Sequence, residues 1–145
     1  MTLQNLLGIS LDSITPNRET IARLLVAAQR NLLDARLDAL SPENRFDAAY
    51  KAIMQLSMLA LNANGFRTLT SRPGHHQTAI QSLTLTIGLS TDRMIVLDAL
   101  RKQRNLSDYS GDLVTDAAVR ECMSSATALL DDVQKWLTVN RPEFA

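Results

Sequence analysis

The chain has 145 residues, 46% of them hydrophobic, which suits one domain with a real core and excludes a disordered chain. Fifteen Lys and Arg offset fifteen Asp and Glu, so bulk charge gives no reason to bind a polyanion and only a local patch could. Five Gly and four Pro are too few for an all-β chain, no apolar run is long enough to span a membrane, and the opening MTLQNLLGIS lacks a secretory signal's basic start, so with the single Cys122 the expectation is a cytoplasmic protein without a disulfide.

The first periodic segment, residues 17 to 40, places Ile21, Leu24, Leu25, Ala28, Leu32 and Ala35 at the three–four spacing of one helical face. Thr15-Pro16 is its expected start. Ser41-Pro42-Glu43 then reads as cap, first-turn proline and first-turn acid of a second helix, with Phe46, Ala49, Tyr50, Ile53, Leu56 and Ala60 on its stripe. Met54, Met58, Leu59 and Leu61 make that helix apolar almost all round, so it needs burial on more than one side. Tyr50 reads as a core residue with a polar tip. Gly65 ends the helix and FRTLTSRPG, residues 66 to 74, reads as a connector.

A third helix is expected from His75 to about Gly88, in preference to a strand over SLTLTIG that would have nothing to pair with. A fourth starts near Ser90-Thr91-Asp92, buries Met94, Ile95, Leu97 and Leu100, and breaks at Gly111. A fifth runs from Thr115 to about Val139, with Val119, Cys122, Met123, Ala126, Leu129, Leu130, Val133 and Trp136 or Leu137 inward. These segments with short links imply an all-α antiparallel bundle of four or five helices, one domain over 1–145 with its core at about 15–139. The apolar excess of the second and fifth helices argues for a homodimer.

Charge is neutral in sum but not in layout. Between Asp47 and Asp92 there is no acid, while Lys51, Arg67, Arg72, His75 and His76 all fall there, and Arg101, Lys102 and Arg104 follow. Brought to one end of the bundle, these groups would favour phosphate. The plain alternative is a solvated loop and a surface pair of Arg104 with Asp108. Adjacent helical residues point about 100° apart, so His75 and His76 are poor joint metal ligands, and no metal-binding spacing accompanies them; neither a metal nor another cofactor is expected. Cys122 lies on an apolar stripe and reads as core.

The segment RKQRNLSDY carries a resemblance. Arg104-Asn105 followed by Tyr109 resembles the signature of the HEPN superfamily, an Arg usually followed by Asn, then four to six residues and a His, here replaced by Tyr109. The stretch RFDAAYKAIMQLSMLALNANGFR followed by SRPGHH is similar to small bacterial HEPN-like proteins, as is RNLSDYSG leading to a long helix with a Trp-Leu pair. The resemblance covers about residues 15 to 139 and implies a HEPN-like helical bundle. It also implies a homodimer, with two facing Arg/His motifs forming a metal-independent endoribonuclease site in which the RNA 2′-hydroxyl attacks the adjacent phosphate. Arginine suits the extra negative charge of that transition state and histidine the proton transfer.

The departure from the motif bears on activity. A phenol of pKa about 10 is about one part in a thousand phenolate at neutral pH, so Tyr109 is a poor base but a fair donor to phosphate. His75 or His76 is the expected substitute proton carrier. Arg104 and Tyr109 stand about 140° apart on a continuous helix, so the helix is expected to end between them or the ligand to bridge two chains. The position of the tyrosine that a nucleotidyltransferase partner modifies in one toxin branch is Gly111 here, so that regulation does not carry over.

The reading that follows is a domain binding an RNA or nucleotide phosphate, or a nucleotidyltransferase-type antitoxin partner, in a toxin–antitoxin or defence setting. Arg104, Tyr109 and His76 stand at its centre, with Asn105, Arg101, His75, Arg72 and Arg67 around them. The alternatives are an endoribonuclease toxin acting as a dimer and a plain helical interaction protein.

Overall fold

The computed structural model describes residues 1–111 and 113–145, with the backbone alone at 108–110. Helix α1 spans Arg18–Ala35, α2 Pro42–Ala63, α3 His75–Gln81, α4 Leu83–Thr86, α5 Thr91–Ser110 and α6 Asp116–Asn140, and two three-residue strands, β1 (Leu11–Ser13) and β2 (Phe66–Thr68), form an antiparallel pair. The molecule is a helical bundle with a small sheet at its edge. No helix of the described residues is long and apolar enough to cross a membrane.

Caps place most helix starts. The side chains of Ser41, Ser90 and Thr115 accept hydrogen bonds from the backbone N–H groups of Asn44 (3.2 Å), Arg93 (3.3 Å) and Ala118 (3.1 Å). Helix α1 differs from expectation: its cap is Asn17, whose Oδ1 accepts from the N–H of Thr20 at 2.9 Å, and residues 14–17 just before it, which include Thr15 and Pro16, are not helical. The expected third helix is two short ones, α3 and α4, joined at the buried Ser82, whose hydroxyl donates to the Ala79 carbonyl at 2.8 Å.

Helix α2 is the centre of the bundle. Fourteen of its 22 residues are buried, and it packs on α1, α6, α3 and α5. Its all-round apolar surface is therefore covered within one chain and gives no support to a dimer. On α6 the buried stripe passes through Leu137, with Trp136 half-buried. The bundle is not antiparallel throughout. Cys122 Sγ lies 3.8 Å from the Phe46 carbonyl near the starts of α6 and α2, and Arg141 Nη1 donates to the Ala63 carbonyl at 2.6 Å near their ends, so these two helices run the same way.

The strand pair departs from the all-helical expectation. β1 precedes α1 and β2 follows α2, and the register pairs Asp12 with Arg67. Gly65 makes the turn between α2 and β2 with φ of +87°, which strains any other side chain, and a Cβ there would also crowd the Ile14 carbonyl oxygen at 3.3 Å.

On α5 the buried face runs through Leu97, Asp98 and Leu100, with Met94 and Arg101 half-buried, while Ile95 is 56% exposed rather than in the core. Apolar spacing cannot mark a buried face that carries an aspartate and an arginine. The helix also continues to Ser110, so it does not end between Arg104 and Tyr109.

Candidate functional site

Three elements meet where the first half of α2, the start of α3 and the middle of α5 come together. From α2 come Asp47, Tyr50 and Lys51, from α3 His75 and His76, and from α5 Asp98, Arg101, Lys102 and Arg104. Tyr50 is fully buried and its hydroxyl lies 3.3 Å from His76 Nδ1. The Arg104 guanidinium sits over the Tyr50 ring, 5.3 Å from its centroid. His75 stands edge-on to His76 with ring centroids 4.7 Å apart.

Charge around this centre is mixed. Arg101 Nε donates to Asp98 Oδ1 at 2.8 Å, and Lys102 lies 3.8 Å from the same carboxylate. Arg104 Nε lies 3.5 Å from Asp47 Oδ1, and Lys51 meets Asp47 at 3.2 Å. Among the described residues these four cations thus meet the two carboxylates of Asp47 and Asp98. On one side of Arg104 opens a cleft of about 290 Å³ lined by Glu43, Asn44, Phe46, Asp47 and Ser107. The stretch that lacks acids in sequence does not lack them in space, because α2 and α5 bring Asp47 and Asp98 to it.

These surroundings set the protonation states. Burial holds the His76 imidazole below its ordinary range, with His75, Arg104 and Arg101 adding to the effect. Burial pushes the Tyr50 phenol up to about 12, against the pull of Arg104 and Arg101. Near neutral pH the centre therefore holds a neutral imidazole, a protonated phenol and a permanent guanidinium, a set rich in hydrogen-bond donors. Cys122 is buried, and burial pushes its thiol up to about 12, which makes it a poor nucleophile.

The structure brings Arg101, Arg104, His75 and His76 into one cluster, with Asn105 half-buried beside Arg104 on α5. It does not bring Arg67 or Arg72 there. Arg67 Nη2 binds Asp12 at 3.0 Å across the strand pair, and Arg72 Nη2 donates to the Gly8 carbonyl at 3.4 Å, so both turn to the N-terminal segment. The side chains of Tyr109 and Asp108 lie outside the described residues. Among the described residues no three His, Cys, Asp or Glu side chains gather in a metal-holding group.

Sequence reasoning missed three members: Tyr50, Asp47 and Asp98. A signal existed for Tyr50, since a buried phenol needs a partner for its hydroxyl and a histidine pair opens α3, the next helix along the chain. Asp47 and Asp98 carry no such mark. No protein-family model matches the chain, and a search of curated proteins finds no match.

Proposed function

We propose that this chain is a HEPN-like domain that binds an RNA or nucleotide phosphate at the corner formed by α2, α3 and α5. One observation carries the reading: three helices direct a guanidinium, a phenol and an imidazole to one place, Arg104 over Tyr50 and Tyr50 against His76. The resemblance around Arg104-Asn105 supplies the family. In this reading Arg104 and Arg101 attract the phosphate and His76 donates to it, while the carboxylates of Asp47 and Asp98 hold the guanidinium groups in place and temper their charge. Binding serves a toxin–antitoxin or defence role, with a nucleotidyltransferase-type partner or a second copy of the chain completing the assembly.

The experiment is a titration with a short oligoribonucleotide and with mononucleotides at two salt concentrations, in EDTA. Binding that weakens with salt and with Arg104→Ala, without cleavage, is the expected result. Salt-insensitive binding, or none, removes the reading. Cleavage that Arg104→Ala abolishes favours the endoribonuclease alternative.

A further inference from the structure

The contact between Tyr50 and His76 decides which hydrogen-bonding face the histidine offers. Tyr50 is 1% exposed, and among the described residues its hydroxyl has one hydrogen-bond partner, His76 Nδ1. Two arrangements fit the 3.3 Å separation. If Nδ1–H donated to the phenol oxygen, the phenol's own hydrogen would be buried without an acceptor, which is costly. If the phenol donates to a bare Nδ1, both groups are satisfied. In a neutral imidazole the ring hydrogen then resides on Nε2.

We infer that Tyr50 is a positioning residue that locks His76 as its Nε2–H tautomer, so that the half-buried imidazole offers a donor and takes an acceptor-only anion such as a phosphoryl oxygen. Nε2 makes no hydrogen bond among the described residues and is the ring atom left for a ligand. In this state His76 is not a ready base, because the nitrogen that would accept a proton is occupied by Tyr50. The arrangement therefore suits binding better than proton abstraction.

The groups around the ring agree with a neutral state. Tyr50 faces it from α2, His75 from α3, and Arg101 and Arg104 from α5, with Asp98 on Arg101. Protonating His76 would put a hydrogen on Nδ1, break the bond from the phenol and add a cation beside two others. The choice of phosphate rests on the proposed function above, whereas the tautomer does not.

The test is ring-nitrogen NMR on the ¹⁵N-labelled full chain and on Tyr50→Phe, with inorganic phosphate added to each. The wild-type chain is expected to show His76 with Nδ1 bare and Nε2 protonated. Tyr50→Phe keeps the ring, loses the donor, and is expected to show mixed tautomers and a His76 pKa raised above that of the wild type, because the neutral form loses its hydrogen bond. Nδ1–H in the wild type, or a tautomer and pKa unmoved by Tyr50→Phe, overturns the inference. Phosphate is expected to shift the wild-type Nε2 signal. The inferred tautomer with no response to phosphate overturns the ligand half and the phosphate reading, and leaves the positioning by Tyr50 supported.

Discussion

Arg104 lies over the ring of Tyr50, its guanidinium carbon 5.3 Å from the ring centroid, and this contact ties α5 to the central helix at the point where the phenol meets His76. Tyr50 thus has three separable roles. Its ring fills the core, its face receives a cation, and its hydroxyl reaches a neighbouring helix.

Substitutions at Tyr50 separate these roles. Tyr50→Phe keeps the ring and loses one hydrogen bond, and is expected to cost about 1 kcal/mol in a denaturant melt. Tyr50→Ala empties a fully buried site and removes the surface on which Arg104 rests, and is expected to cost about 3–5 kcal/mol.

Asp47 competes with any anion for Arg104, since its carboxylate lies 3.5 Å from Nε. Asp47→Asn is therefore expected to tighten phosphate or nucleotide binding by about threefold, where Arg104→Ala weakens it by about tenfold or more. Opposite effects on ligand affinity from these two neighbours, read by calorimetry at one salt concentration, check the assignment.

How much of this is legible in the sequence depends on how local the cause is. Ser41, Ser90 and Thr115 cap helices through the N–H three residues on, so they can be read directly. The strand pair cannot, because Asp12 meets Arg67 across the whole of α1 and α2 and three-residue strands are too short to show alternation. The same pairing explains why Arg67 lies away from the site, since its partner is invisible to local spacing. Apolar spacing favours Ile95 for the core, while the face that is actually buried carries Asp98 and Arg101. Cations are legible as a run, and the carboxylates that α2 and α5 fold against them are not.

Acid should weaken the fold through His76. Its pKa is depressed in the folded chain below the ordinary value of 6.5, so its neutral form contributes stability above that value and the contribution is lost as pH falls from there through the folded value. Melts of wild type and His76→Gln from pH 7 down to 5 are expected to diverge at pH 7 and converge as pH falls.

Alkali acts through Tyr50. Its pKa rises from 10.0 to about 12 on folding, so stability is intact below the lower value and is lost as pH climbs toward the upper. In Tyr109→Phe, which leaves one phenol, absorbance titration is expected to show a single transition near 12 while the chain stays folded. A transition near 10 in the folded chain would mean that the phenol is not buried.

Arg141 links the ends of two parallel helices, donating to the Ala63 carbonyl at 2.6 Å while its guanidinium covers the ring of Phe144 at 4.7 Å. A cation at the C-terminal end of α2 also meets the negative end of its dipole. Arg141→Ala is expected to lower stability by about 1–3 kcal/mol and to leave ligand binding unchanged, since it lies away from the α3 start.

The decisive measurement is amide chemical-shift mapping as a short oligoribonucleotide is added. The perturbed amides are expected to gather at His75 and His76 on α3 and around Arg101 and Arg104 on α5, and Arg104→Ala is expected to remove them. Shifts that gather on another face, or that persist in Arg104→Ala, would contradict phosphate binding at the meeting point of α2, α3 and α5.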